Sequence, residues 1–352
     1  MTSPRPFIAI GENIHTTRVV LRSGRHVVAE GDAEWLAFTD VEGVERRLPV
    51  PAWHRETDEH LAGRLKHVGI AIRTAMAGGP DAEAAVAYLR VLARRQLDAG
   101  AAYLDLNVDE LSPRLGEQKE AIRWLVAQVQ GWTDVPVAVD SSHEEIIADG
   151  LAAARPGSRP MLNSASLERR SSLDLGLRTG GPVVVTAAGA SGMPSGVDDR
   201  VANASAMIDA ALAAGYPAGD IFVDPLIFPI SVDGAFGSHA LDAIRALRAR
   251  FGPEIHLTGG MSNVSFGIPG RRLLNDVFLR MAIDAGADSG IIDPVATDIG
   301  RVMALDVDAD GGPALARDAI LGTDVACRAF LRAYRNGELA AFGIVPPVRK
   351  HR

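Results

Sequence analysis

Short runs of apolar and β-branched residues alternate along the chain with longer runs in which apolar residues recur every three or four positions. This alternation is typical of βα units built on a parallel sheet. It predicts eight strands, at Pro6–Glu12, Ala102–Asn107, Val135–Asp140, Pro160–Asn163, Pro182–Ala187, Asp220–Asp224, Ile255–Thr258 and Asp288–Asp293.

The runs between these strands predict helices at Ala82–Ala99, Glu117–Gln130, Glu144–Ala154, Leu167–Arg178, Asp198–Ala214, Ala240–Arg250 and Arg271–Ala285, with closing helices at Ile299–Leu305 and Arg317–Asn336. Glycine ends several helices just before the next strand, at Gly100, Gly215 and Gly286. Eight βα units in order favour a closed (β/α)8 TIM barrel. A Rossmann fold is disfavoured, because the first strand runs into Gly-Glu-Asn-Ile-His and not into a glycine fingerprint.

Residues 18–64 interrupt the alternation after the first strand. Alternating runs broken at Ser23-Gly24 and Glu42-Gly43 predict β-hairpins there. The insertion leaves the end of a barrel strand that carries active sites, so a lid, a partner-docking surface and a dimer element are equal alternatives. We therefore expect one barrel domain over residues 1–352, with this β-rich insertion and a helical closure over residues 310–352.

Composition narrows the function classes. A formal net charge of −8 without a long basic run argues against a nucleic-acid-binding surface. The single cysteine, Cys327, excludes a disulfide framework and thiolate metal clusters. Because the first residues lack an apolar signal region and the apolar runs are too short to cross a bilayer, we expect a cytoplasmic protein that does not enter the membrane.

Polar residues collect where the predicted strands end, and in a barrel all strand ends converge on one mouth. The set comprises Glu12, Asp105, Asn107, Asp140, Asn163, Asp224, Asn263 and Asp293. A single Asp at such a position is more often a helix cap, but so many carboxylates and amides on one rim indicate a binding site.

This rim offers hydrogen-bond acceptors and bifunctional amides with little positive charge. A neutral heterocycle with ring N–H donors and a carbonyl would satisfy these groups in pairs, and each group left unpaired in a closed pocket would cost about 1–3 kcal/mol. A zinc site is disfavoured because only His15 and His143 lie near strand ends, each better explained by local hydrogen bonding. We expect no metal, with a magnesium site as the open alternative.

Several motifs occur along the chain in the order found in a known family. They are Ile10-Gly-Glu-Asn-Ile, Leu104-Asp-Leu-Asn-Val, Val139-Asp-Ser-Ser, Met161-Leu-Asn-Ser-Ala, Phe222-Val-Asp-Pro-Leu-Ile, Ser262-Asn-Val-Ser-Phe-Gly and Arg271-Arg-Leu-Leu-Asn. Over about residues 6–13 and 82–295 the chain resembles the methyltetrahydrofolate:corrinoid methyltransferases. That family shares its pterin-binding barrel with the folate module of cobalamin-dependent methionine synthase and with dihydropteroate synthase.

The resemblance implies a role for each matching position. Asp140, Asn163 and Asp224 would hold the pterin ring edge, and Asn263 would lie near the pterin N5. Asp105 and Asn107 would line the pocket, Ser262 would support the Asn263 loop, Arg271 would lie near the outer part of the cofactor, and Glu12 matches the acid of the first strand. Asn263 and Asp140 are the residues we expect to act in catalysis.

The implied reaction moves a methyl group between N5 of tetrahydrofolate and a corrinoid. Protonating or hydrogen-bonding N5 makes it a better leaving group, so an amide and ordered water suffice without a histidine base. Because Asp-x-His-x-x-Gly, the signature of a corrinoid carrier, does not occur in the chain, the corrinoid is expected on a separate partner protein. A homodimer is implied by the family alone.

The chain departs from the family's pattern in three places: Asn13 and His15 in the first strand, the polar Thr258-Gly259-Gly260 before the seventh-strand motif, and the insertion. These departures affect the identity of the methyl acceptor more than that of the pterin. The alternatives are a pterin-dependent one-carbon transferase with a non-corrinoid second substrate, a dihydropteroate synthase-like enzyme, and a catalytically silent pterin- or partner-binding protein. The synthase is disfavoured because Lys66, Lys119 and Lys350 all lie away from the seventh strand.

Overall fold

The computed structural model of the protein describes residues 6–346. Within that range the chain forms two compact units, one containing residues 10–164 and 174–182 and the other containing the remaining described residues. Among residues 6–346, no helix combines the length and the apolar composition needed to cross a bilayer.

Eight strands make up the main sheet, and their pairings are parallel. They are β1 (Ile8–His15), β7 (Tyr103–Asn107), β8 (Val137–Asp140), β9 (Met161–Ala165), β10 (Val183–Thr186), β11 (Ile221–Asp224), β12 (His256–Leu257) and β13 (Ser289–Ile292). The order across the sheet is β12-β11-β10-β9-β8-β7-β1-β13, and a parallel bridge joins Gly260, which follows β12, to Ile291 in β13. The predicted (β/α)8-barrel fold class is confirmed.

Helices connect these strands. Those that precede β11 are α1 (Ala52–Arg55), α2 (Asp58–Leu61), α3 (His67–Ala77), α4 (Ala82–Asp98), α5 (Leu115–Gln130), α6 (Glu144–Ala153), α7 (Ser172–Thr179) and α8 (Val197–Ala214). Those that follow it are α9 (Phe236–Phe251), α10 (Arg271–Ala285), α11 (Ile299–Met303), α12 (Gly312–Leu321) and α13 (Arg328–Asn336). Short 3-10 helices occur at Ala218–Asp220, Met261–Ser265, Val325–Cys327 and Ala340–Phe342.

Burial explains why the strand sequences are nearly continuous apolar runs. Leu104 and Leu106 in β7, and all three valines of β10, are fully buried. Strands of a parallel sheet are covered on both faces, so both alternating sets of side chains must be apolar until the strand ends. The polar residues at the strand ends therefore stand out in the sequence.

Three helix ends were predicted from glycine and are confirmed. Gly100 follows Ala99, the C-cap of α4, with a φ angle of 86°. Gly215 and Gly286 cap α8 and α10 with φ angles of 104° and 118°, in the left-handed region. At Gly286 an added Cβ would also lie 2.8 Å from Cγ of Arg248, so close packing as well as backbone conformation requires glycine.

The inserted segment contains antiparallel strands. The strands β3 (Val27–Glu30), β4 (Ala33–Thr39) and β5 (Glu45–Pro49) form one sheet, and β2 (Val20–Leu21) pairs with β6 (Arg64–Leu65). Leu36 and Leu48 are fully buried beneath the three-stranded sheet. The Phe38 ring meets the Tyr88 ring of α4 edge to face, with centroids 5.1 Å apart, so the insertion packs on the helical layer.

Two helix predictions need correction. The helix predicted over Leu167–Arg178 begins only at Ser172. The N–H groups of Arg169 and Ser172 donate to the carbonyls three residues earlier, so separate turns replace the first turn of the predicted helix. The single helix predicted over Arg317–Asn336 is two helices, separated after Gly322 by positive φ angles at Ala326 and Cys327. The last part of the predicted helical closure, residues 347–352, lies outside the described residues.

Helix α3 was missing from the predictions. Its residues from His67 to Ile72 are all buried, so its sequence shows no alternation between an apolar and a polar face. His67 lies in this helix and receives a 2.9 Å hydrogen-bond contact from the Tyr88 hydroxyl, while burial lowers its pKa to about 4.

Candidate active site

Four of the predicted site residues lie side by side at the carboxyl ends of neighbouring strands. Strand register pairs Asn107 with Asp140 and Asp140 with Asn163, and it pairs His15 with Asn107. Asp105 precedes Asn107 by two positions and therefore projects from the same face of β7. We call Asp105, Asn107, Asp140, Asn163 and His15 the acid–amide cluster.

Direct hydrogen bonds link the members of this cluster. The Asn107 amide Nδ2 donates to Asp140 Oδ2 at 2.9 Å, and the Asn163 amide Nδ2 donates to Asp105 Oδ1 at 3.3 Å. His15 Nε2 lies 2.9 Å from Asp105 Oδ2. Each carboxylate is thus held by an amide from another strand of the sheet, which limits its freedom to rotate.

Burial and a neighbouring charge act on the Asp140 carboxyl group. Asp105 has no exposed surface. Burial, reinforced by the charge of Asp105, raises the pKa of Asp140 to about 7. Two carboxylates this close in a desolvated site cannot both ionise easily, so Asp140 gains and loses a proton near neutral pH.

His15 supplies the opposite charge. Burial by itself would lower its pKa, but the hydrogen bond and charge of Asp105, together with the charges of Asp140 and Glu12, outweigh burial and raise it. The imidazolium form is therefore favoured beside Asp105.

Within residues 6–346, His15, Asp105 and Asp140 form a group whose ligand atoms lie close enough for a metal, all within 4.8 Å of one another. Hydrogen bonds already engage both oxygens of Asp105 and Oδ2 of Asp140. A cation would have to displace these donors, and we assign no metal to the group.

Glu12 lies on β1 beside the cluster. Arg18 Nη2 contacts its carboxylate at 2.6 Å, and Arg18 Nε donates to its backbone carbonyl at 3.1 Å. The pairing register of β1 shifts between Gly11 and Ile14, so strict alternation does not apply to this strand. The charge of Glu12 acts on His15 and helps to raise its pKa.

Asp224 belongs to the other compact unit, where it ends β11. Its Oδ1 accepts the Leu226 N–H at 2.7 Å, and the Gly260 N–H donates to the same carboxylate. Burial nevertheless raises the pKa of Asp224 to about 6, although these two donors and the Arg200 cation act in the opposite direction. The fully buried Arg200 donates to the carbonyls of Leu226 and Gly196.

Ser262 and Asn263 lie in the 3-10 helix Met261–Ser265. Arg271, the first residue of α10, donates from Nη2 to the Ser262 carbonyl at 2.8 Å and from Nε to Ser265 Oγ at 3.0 Å. A Cβ at Gly260 would lie 2.7 Å from Asn263 Nδ2, so with glycine there the amide packs against this backbone without having to move. Arg271 therefore holds the segment that carries Asn263.

Sequence reasoning missed two contributors. His15 was interpreted as a local hydrogen-bonding residue, yet its partner Asp105 is 90 positions away in the sequence. Arg200 was not singled out, although an arginine on the buried face of a helix predicted as amphipathic is an unusual residue and offered a signal.

Comparison with known proteins identifies the family to which the chain is similar. Residues 81–293 match the family model described as pterin binding enzyme. The chain is 30% identical over 261 residues to a methylcorrinoid:tetrahydrofolate methyltransferase from Eubacterium limosum, covering 72% of this chain and 89% of the relative. It is 30% identical over 216 residues to methionine synthase of Mycobacterium leprae (strain TN), covering 57% of this chain and 17% of that enzyme.

Solved structures share the fold. Dihydropteroate synthase from Xanthomonas albilineans with 7,8-dihydropteroate superposes with a TM-score of 0.51 at 19% identity, covering 62% of this chain and 84% of that one. The Stenotrophomonas maltophilia enzyme gives 0.51 at 19% identity, covering 64% and 87%. At these identities the likeness concerns the barrel and not the reaction.

Proposed function

Because this chain belongs to the family of pterin binding enzymes, we propose that it is a methyltransferase that moves a methyl group between N5 of tetrahydrofolate and a corrinoid carried by a separate protein. Its relative from Eubacterium limosum is named for that pair of substrates and is matched over most of its length. The acid–amide cluster is the observation that carries the proposal.

The donors and acceptors of the cluster suit a pterin. The pterin ring edge presents N–H donors beside a carbonyl acceptor, so it needs carboxylates and amides next to one another. Asp140 and Asn163 supply these two kinds of group at paired positions of adjacent strands. Asp105 and Asn107 hold them through hydrogen bonds. We assign ring recognition to Asp140 and Asn163, and pocket lining to Asp105 and Asn107.

In the proposal, Asp224 also binds the pterin edge and Asn263 acts at N5. Methyl transfer away from N5 leaves a nitrogen that must gain a proton, and transfer onto tetrahydrofolate requires N5 to lose one. The side-chain amide of Asn263 can donate to or accept from that nitrogen without changing its own charge. Arg271 holds the segment that carries Asn263 through the Ser262 carbonyl, and we place Arg271 near the outer part of the cofactor. The corrinoid, when its carrier binds, supplies the cobalt centre that exchanges the methyl group.

The remaining assignments are predictions. We place the corrinoid on a partner protein, expect a homodimer in the cytoplasm, and expect the inserted residues 18–64 to serve the second substrate. A non-corrinoid second substrate is the alternative that the insertion supports, because this segment adds a surface at the end of β1 where a second substrate would approach.

Binding and turnover test the proposal separately. Tetrahydrofolate and 5-methyltetrahydrofolate should each raise the melting temperature of the purified protein and bind by calorimetry. Asp140→Ala should abolish this binding, whereas Asp134→Ala, at an exposed Asp before β8, should not change it. Folded protein that binds neither ligand at millimolar concentration would refute the proposal.

Turnover is followed by the visible spectrum of the cobalt centre, with methylcobalamin and tetrahydrofolate or with cob(I)alamin and 5-methyltetrahydrofolate. Asn263→Ala should reduce kcat by about 100-fold, since it removes a group that acts on the reacting nitrogen, and should change the Kd for folate much less. Folate binding without transfer to any corrinoid would favour the non-corrinoid alternative, and binding without any turnover would favour a pterin-binding protein.

A further inference from the structure

His15 has no role among the residues assigned so far, although it lies within the acid–amide cluster. Its side chain is 12% exposed, and its partner Asp105 is fully buried. A histidine that served only to fill space would not need a carboxylate at 2.9 Å that also accepts from a second side chain. The pair therefore calls for a functional explanation.

The contacts form a chain of three side chains. His15 Nε2 is hydrogen-bonded to Asp105 Oδ2, and the Asn163 amide Nδ2 donates to the other carboxylate oxygen, Oδ1. Because Nδ2 of Asn163 is engaged with Asp105, its carbonyl Oδ1 is turned away from Asp105. The orientation of the Asn163 amide is thus determined by Asp105, and the rotation of Asp105 is determined by His15.

We propose that His15 is a positioning residue for pterin binding: it fixes Asp105, which in turn fixes the Asn163 amide with its carbonyl oxygen presented as an acceptor to the pterin. This inference rests on the proposed function and adds a residue to it. His15 acts through Asp105 and need not touch the ligand.

The charge of His15 adds a second effect. The titratable groups around it are Asp105 on β7, Asp140 on β8 and Glu12 on β1, and Arg18 is paired with Glu12. Asp109, which follows β7, acts on Asp140 and further raises its pKa, whereas His15 lowers it. Loss of the His15 cation should therefore raise the pKa of Asp140, and the ionised carboxylate that accepts pterin N–H groups should form only at higher pH.

Two variants separate orientation from charge. His15→Gln retains an amide N–H that can reach Asp105 but carries no charge, and His15→Ala removes both. His143→Ala is the matched control, because His143 is an exposed histidine before α6 whose side chain makes no cap hydrogen bond. All three are compared with wild-type protein by calorimetric tetrahydrofolate binding between pH 5.5 and 8.5, after a check of folding by circular dichroism.

We expect His15→Ala to raise the Kd for tetrahydrofolate by about 10-fold at pH 8, and to move the acidic limit of binding upward by about one pH unit. His15→Gln should recover most of the affinity at pH 8 while keeping the shifted pH profile, which loss of packing alone would not produce. His143→Ala should match wild type in both respects.

The outcomes distinguish the inference from the function on which it rests. If wild type binds tetrahydrofolate and both His15 variants bind it with unchanged Kd and unchanged pH profile, the positioning role is wrong and the proposed function stands. If His15→Ala does not fold, His15→Gln decides by the same two readouts. Wild-type protein that binds no tetrahydrofolate would overturn both.

An NMR titration checks the His15–Asp105 pair without any ligand. The His15 imidazole should titrate above the ordinary value of 6.5 in wild-type protein, and Asp105→Asn should lower its pKa. A His15 resonance that Asp105→Asn leaves unmoved would overturn the pairing.

Discussion

Asp224→Asn is expected to make the protein more stable at neutral pH while it removes pterin binding. The side chain of Asp224 ends β11 and accepts the N–H groups of Leu226 and Gly260. An asparagine Oδ1 can still accept the Leu226 N–H, which donates to Oδ1 of Asp224 in the wild type, so this turn after β11 survives. The substitution removes the negative charge from a site where burial penalises it.

The magnitude follows from the raised pKa of Asp224. It lies at about 6 in the folded protein, against an ordinary value of 3.8. A carboxyl with a raised folded pKa contributes most stability when protonated, and that contribution is lost as the pH rises through about 6. At pH 7.5 the difference between the folded and the ordinary pKa corresponds to about 3 kcal/mol in the free energy of unfolding. Because Asp224 retains some exposure and the variant loses its attraction to Arg200, we expect a gain of about 1–3 kcal/mol.

Urea unfolding at pH 7.5 and pH 5.0 measures this gain. At pH 5.0 wild-type Asp224 is largely protonated in the folded state, so the stability difference between variant and wild type should fall to about half. The control is Asp233→Asn, since Asp233 accepts the Ala235 N–H in the same i-to-i+2 pattern but is exposed. A variant less stable than wild type at pH 7.5, or a gain that does not change with pH, would refute the reasoning.

Three further predictions concern the scaffold. Arg200→Met should lower the free energy of unfolding by about 2–5 kcal/mol in urea, because the carbonyls of Leu226 and Gly196 lose their buried donor; an unchanged midpoint would contradict this. Gly286→Ala should cost at least about 1–2 kcal/mol, since its φ of 118° is unfavourable for a residue with a Cβ; equal stability would show that the helix end can rearrange. Replacing residues 18–64 by a short linker should leave tetrahydrofolate binding mostly intact and reduce methyl transfer, provided that the variant folds. Full methyl transfer by the folded variant would show that the insertion has no role in the reaction.

The parts of the fold that were predicted well are those with a local signal. Most barrel strands are apolar runs with a polar residue at or just after their end, and Gly215 and Gly286 mark the ends of their helices. Helix α3 lacked such a signal, because it is buried on most sides. The break after Gly322 was not predicted, because the sequence on both sides of it is compatible with a helix. The left-handed conformations there belong to Ala326 and Cys327, which are not glycines.

The chain by itself determined the carboxylates and amides at the strand ends, Asp105, Asn107, Asp140 and Asn163, since strand periodicity and burial act locally. Tertiary structure decided the pairing within the cluster. His15 and Asp105 meet because parallel register places β1 beside β7, although 90 positions separate them in the chain. The pKa of Asp140, raised to about 7, likewise depends on burial and on Asp105, which belong to the folded state. Such electrostatic effects depend on distances and solvent exclusion that exist only after distant strands have come together.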